Sequence, residues 1–87
     1  LSRMKSVTVY TRAFCPYCTR ALALLERKGA RVTEIDAGDP DKRQEMIQRS
    51  GRWTFPQIFV GETHVGGCDD LHALEQRGAL DPLLSSP

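Results

Sequence analysis

From Ser6 to Thr11 the chain reads SVTVYT, β-branched and aromatic residues that suit a pleated strand. The apolar period then lengthens. Cys18, Ala21, Leu22 and Leu25 fall at i, i+3, i+4 and i+7, one face of a helix. Pro16 takes the first helical position, where a missing N–H has no intrahelical partner to lose. Arg27 and Lys28 put cations in the last turn, and Gly29 follows it. Residues 31–36 (RVTEID) form a second short strand, with glycine close on either side. Asp39 then caps a helix with Pro40 in its first turn, which runs through Met46 and Ile47 to Gly51. Residues 55–60 (FPQIFV) make a third strand, Gly61-Glu62 a tight turn, and residues 63–65 a short fourth strand. Asp69 or Asp70 caps a last helix through Leu71 and Leu74, ending at Gly78, and a tail packed by Leu83 and Leu84 follows. The order β-α-β-α-β-β-α predicts an α/β domain. Its first two strands pair in parallel through a right-handed crossover, and its last two form an antiparallel hairpin. The sheet is then mixed and four-stranded, with helices on its faces.

Composition narrows the class. The chain has 87 residues, 40% hydrophobic and 26% charged, as an ordinary single globular domain does. Twelve basic and eleven acidic side chains leave a net charge of +1, and no polybasic tract offers a nucleic-acid footprint. No apolar run approaches the roughly 20 residues of a membrane span, and no apolar secretory stretch opens the chain. Leu1-Ser2-Arg3 precede Met4, a candidate natural start. Three cysteines are too few and odd in number for a disulfide-stapled scaffold, so the expected setting is a reducing one, the cytoplasm.

Two of those cysteines, Cys15 and Cys18, stand three apart in AFCPYC. A zinc site would need a second pair, and Cys68 with His72 is the available one. It lies fifty positions on (68 − 18 = 50), outside short finger spacing. Cys18 on an apolar face also packs as a small hydrophobe, but that leaves Cys15 unexplained. A redox pair uses both. A helix N-terminus offers unpaired N–H groups to an anion, and Cys15 stands there with Arg12 nearby and Cys18 within reach of a disulfide formed on it.

CPYC after the first strand, TFPQIFV at residues 54–60 and GGCDD at residues 66–70 together resemble a dithiol glutaredoxin of the small bacterial type. The resemblance covers about residues 7–84. It implies a thioredoxin-like fold and a glutathione-dependent thiol–disulfide oxidoreductase with glutathione as co-substrate and no permanently bound cofactor. Cys15 would attack the glutathione sulfur of a glutathionylated substrate, and a second glutathione would resolve the adduct. With a protein disulfide, Cys18 would resolve it and leave Cys15–Cys18 oxidised. Glutaredoxins lie at roughly −200 to −230 mV, within reach of the glutathione pool that glutathione reductase maintains.

The same resemblance implies a glutathione cradle. Pro56 would follow a cis bond, and Phe55, between Thr54 and Pro56, would pair its backbone N–H and C=O with the cysteinyl part. Gly66 and Gly67 would allow close approach, and the Cys68 and Asp69 N–H groups would receive the γ-glutamyl carboxylate. Asp70 would meet the γ-glutamyl ammonium. Arg12 and Arg43 would meet the glycyl carboxylate, with Arg49 or Arg52 able to replace Arg43. Tyr17 would line the groove beside the sulfur. Family members commonly carry valine where this chain has Phe55, and Trp53 is expected to cover the sheet edge. Cys68 is read as packing rather than redox-active, and His64 and His72 as surface residues. The expected partners are glutathione and disulfide-bearing or glutathionylated proteins, acting on a monomer. Two alternatives remain open. One is a redoxin recharged by thioredoxin reductase, against which GGCDD and Arg12 count. The other is an iron–sulfur cluster carrier, against which the rigid Pro16 counts.

Overall fold

The computed structural model describes residues 4–85; Leu1-Ser2-Arg3 lie outside the described residues. The strands are β1 (Ser6–Thr11), β2 (Arg31–Asp36), β3 (Gln57–Val60) and β4 (Thr63–Gly66). The helices are α1 (Pro16–Arg27), α2 (Pro40–Ser50), α3 (Cys68–Gln76) and α4 (Leu80–Ser85). The sheet order is β2-β1-β3-β4, with β1 parallel to β2 and antiparallel to β3, and β3 antiparallel to β4. This is the mixed sheet that the pattern predicts. No helix among the described residues is long and apolar enough to cross a membrane.

Alternation along β1 and β3 divides the core. Val7, Val9, Ile58 and Val60 face Ala21, Leu24 and Leu25 of α1, Leu71 of α3 and Leu80 and Leu84 of α4. Tyr10 and Phe59 face the other way, onto Ala37 and Met46. Both faces of the central strands are thus buried, and the hydrophobic effect fixes their register, because a one-residue slip would exchange the two sets.

Local chemistry sets most boundaries. Asp39 caps α2 by accepting from the Lys42 N–H at 3.2 Å, and Gly51 ends it at φ 71. Other boundaries differ from expectation. Gly67, not Asp69 or Asp70, is the N-cap of α3, and Asp70 in its first turn accepts from the Gly67 N–H at 2.9 Å. The Phe55–Pro56 bond is cis. β3 begins at Gln57 rather than at Phe55: Pro56 has no N–H to give a ladder, and the pairing with β1 starts at Gln57 opposite Tyr10. The tail is a helix. Leu80 and Leu84 of α4 are buried one turn apart, the Lys5 N–H donates to Leu84 O at 2.8 Å, and Lys28 pairs with Asp81 at 3.0 Å and with Glu75 at 2.7 Å. Trp53 does not cover the sheet edge: it is 72% exposed and lies in a shallow hollow with Ile47 and Gly51. Neither histidine is a simple surface residue. His64 stacks on Phe59 at 4.9 Å, and His72 buries its Nε2 without a hydrogen-bond partner among the described residues.

Candidate active site

The turn from β1 to α1 builds the thiol site. Phe14 adopts φ 57, the left-handed region, which costs a side-chain-bearing residue about 1–2 kcal/mol, and its ring is 98% exposed. The backbone then straightens at Cys15, the N-cap of α1, with φ −114 and ψ 102. There the Cys15 Sγ accepts from the Cys18 N–H at 3.3 Å. The sulfur fills the role that a serine or aspartate oxygen has at other helix starts, satisfying one otherwise unpaired donor. That N–H stays in place as charge grows on the sulfur.

The two thiols differ. The Cys18 thiol is pushed up to about 12, first by burial and then by its hydrogen bond with Cys15, with the Arg12 backbone opposing. It stays protonated near neutral pH, as suits a group that attacks second. The Cys68 thiol is also raised, by burial first and by Asp69 next, against Arg20. Cys15, Cys18 and Cys68 are all free thiols. Among the described residues no three His, Cys, Asp or Glu side chains are grouped so as to hold a metal ion. Brief exposure of the reduced native protein to iodoacetamide near neutral pH should therefore label Cys15 first. Mass spectrometry showing Cys18 or Cys68 labelled equally fast would overturn the assignment of roles.

Beside the pair lies an open groove of about 230 Å³. Tyr17 of α1 forms one side, Thr54, Phe55 and Pro56 a second, and Gly67, Cys68, Asp69 and Asp70 at the start of α3 a third. The walls are close: a Cβ added to Gly67 would lie 3.4 Å from Pro56 O. Gly66, at φ 116, lets the chain leave β4 and start α3 beneath the Asp70 carboxylate. Asp70 is held ionised below its usual range, chiefly by the Gly67 N–H and also by Arg52, whose Nη1 lies 3.2 Å from Oδ2.

The arginines separate. Arg52 lines the groove. Arg12 lies over the ring of the wall residue Phe55, 5.6 Å from its centroid, and is not among the lining residues. Arg43 is exposed in the first part of α2 and is not among the lining residues. Arg49 is exposed too, but its guanidinium lies 4.2 Å over the Phe59 ring and 2.9 Å from the Tyr10 hydroxyl, which itself donates to Glu45 at 2.5 Å. Sequence reasoning kept Arg52 only as a substitute, since nothing local distinguishes it from Arg43 or Arg49. Phe14 was missed as well; a bulky residue beside an N-cap carries no sequence signal for a left-handed turn.

The arrangement sets a sulfur at a helix start beside a narrow groove that combines the backbone at the start of α3, a carboxylate and a guanidinium. Comparison with known proteins agrees. The glutaredoxin family model matches residues 7–65. The Pseudomonas aeruginosa glutaredoxin is 57% identical over 84 residues, covering 95% of this chain and 100% of that protein. The solution structure of glutaredoxin from Brucella melitensis superposes with a TM-score of 0.83 at 63% identity, over 95% of this chain and 91% of that one. A crystal structure of buckwheat glutaredoxin in complex with glutathione gives a TM-score of 0.82 at 30% identity, over 90% and 74%. The chain has a thioredoxin-like fold, belongs to the glutaredoxin family and is a glutathione-dependent thiol–disulfide oxidoreductase.

Proposed function

We propose that the protein removes glutathione from glutathionylated substrates by a one-thiol route and reduces protein disulfides by a two-thiol route. The observation that carries this reading is the Cys15 sulfur at the helix start, accepting from the Cys18 N–H at 3.3 Å beside a groove of tripeptide scale. In the first route the Cys15 thiolate attacks the glutathione sulfur of a mixed disulfide. A Cys15–glutathione bond forms, the substrate sulfur leaves and takes a proton from water. The thiolate of a second glutathione attacks the bound glutathione sulfur, giving glutathione disulfide and returning the Cys15 thiolate. In the second route Cys15 attacks one sulfur of a protein disulfide and the other leaves as a thiol. Cys18 then loses its proton, attacks Cys15 and displaces the substrate's first sulfur, leaving a Cys15–Cys18 disulfide for glutathione to reduce.

Glutathione lies in the groove as an extended chain. The Phe55 backbone pairs with its cysteinyl unit, as an added strand would. The γ-glutamyl carboxylate meets the Cys68 and Asp69 N–H groups at the start of α3, and its ammonium meets Asp70. Arg52 and Arg12 supply the cations nearest the glycyl carboxylate, and Arg43 lies further along α2. Tyr17, Thr54, Pro56 and Gly67 shape the walls. Exposed Phe14 and Tyr17 give a protein substrate apolar surface beside the thiol. The protein works as a monomer in the reducing cytoplasm, with glutathione as co-substrate.

NADPH consumption in the presence of glutathione, glutathione reductase and a small mixed disulfide tests this. The expected result is turnover with that system and none when thioredoxin reductase replaces it. Turnover only with thioredoxin reductase would discard the glutathione groove.

A further inference from the structure

Behind the groove a buried amide makes three hydrogen bonds that the chemistry above leaves unused. Gln57, the first residue of β3, is fully buried. Its Nε2 donates to the carbonyl oxygen and to the hydroxyl of Thr54, each at 3.0 Å. Its Oε1 lies 2.8 Å from His64 Nε2 on β4. The Thr54 carbonyl oxygen can only accept, so the amide nitrogen must face it and the amide oxygen must face the imidazole. His64 Nε2 therefore carries a hydrogen and donates. The ring is held for this by its stack on Phe59, 4.9 Å between centroids.

The groove enters through peptide geometry. The Thr54–Phe55 peptide is trans and planar, so its carbonyl oxygen and its N–H point in opposite directions. Anchoring the Thr54 oxygen inward on Gln57 aims the Phe55 N–H outward. If the amide turned over, its oxygen would oppose the Thr54 oxygen, acceptor against acceptor, and the peptide would be free to rotate. The imidazole donor blocks that turn by satisfying Oε1 where it is.

We propose that Gln57 and His64 are positioning residues for glutathione: together they fix the plane of the Thr54–Phe55 peptide and so the aim of the Phe55 N–H. This rests on the reading that Phe55 pairs with the cysteinyl unit. A lost anchor should weaken glutathione by roughly fivefold to tenfold, the effect of about one hydrogen bond. The pair touches neither sulfur.

Two experiments test it. In the unaltered protein, ¹⁵N–¹H correlation of the imidazoles near neutral pH should find His64 as the Nε2–H tautomer; the Nδ1–H tautomer would overturn the proposal without any variant. Next, S-methylglutathione, which cannot exchange disulfides, is titrated while backbone amides are followed by NMR. In the unaltered protein the Phe55 amide should shift. His64→Phe keeps the stack and removes the donor, and should raise the dissociation constant roughly fivefold to tenfold with a smaller Phe55 shift. His64→Gln, which restores a donor, should recover both, whereas a merely structural role would lower Tm without moving the Phe55 response. Unchanged affinity in folded His64→Phe would overturn the inference alone. An unmoved Phe55 amide in the unaltered protein at saturation would overturn the Phe55 pairing and this inference with it.

Discussion

Cys15→Ser is expected to lose turnover with every disulfide substrate, down to background. A serine hydroxyl stays protonated near neutral pH and is a poor nucleophile toward sulfur, and no neighbouring thiol can take over. All three thiols are buried, but the Cys18 thiol is pushed up to about 12 and the Cys68 thiol is raised too, each first by burial. The variant should fold, since a serine oxygen at an N-cap accepts the same N–H. Cys18→Ser gives the contrasting result. Glutathione removal continues through Cys15, while direct reduction of protein disulfides stops because nothing resolves the adduct. The coupled assay with a small mixed disulfide, run beside an insulin-type protein disulfide, separates the two routes. Substantial turnover by Cys15→Ser would sink the mechanism, and joint loss of both activities in Cys18→Ser would sink the division between routes.

Gly66→Ala should damage fold and site together. At φ 116 an L side chain is strained, a cost of about 1–3 kcal/mol. The new methyl would also collide with the Asp70 carboxylate, lying 2.8 Å from its Cγ and 3.1 Å from its Cβ. To escape, Asp70 must swing away from the Gly67 N–H and from Arg52. A small domain holds only about 5–15 kcal/mol in reserve, so Tm should fall by roughly 10 °C or more. The Michaelis constant for glutathione should rise in the fraction that folds. Gly29→Ala is the control: its φ is 70, but nothing lies within 4 Å of the added methyl. Equal thermal losses in the two variants, with the glutathione constant unmoved, would show that the Asp70 contact has no consequence.

What the sequence reveals here is mostly what local chemistry decides. The two proline-led helices, the Asp39 cap and the β1 strand are readable because cap, proline and alternation each act over a few residues. The helix α4 is not, because six residues containing Pro82 do not make a stable helix alone; Leu80, Leu84 and Lys28 hold it by contacts distant in sequence. The start of α3 was legible in principle. An acid three residues after Gly67 is half of a capping box, although two adjacent aspartates point to the wrong cap. In the site, Thr54 to Pro56 and Gly67 to Asp70 belong to contiguous motifs, and the groove lining brings the two stretches together. Arg52 and the Gln57–His64 pair depend on how β3 meets β4. That ladder shifts register between Ile58 and Phe59, which pair with Gly66 and His64 and leave Val65 unmatched. Such an irregularity has no signature in either strand alone.

Trp53 gives the protein a fluorophore of its own. It is the sole tryptophan, and its chain neighbours Arg52 and Thr54 line the groove. Its indole is already wet in the native state, at 72% exposure. Emission should therefore change when a tripeptide occupies the groove and change little when the chain unfolds. Intrinsic fluorescence is thus expected to report ligand occupancy rather than unfolding, which circular dichroism would follow instead.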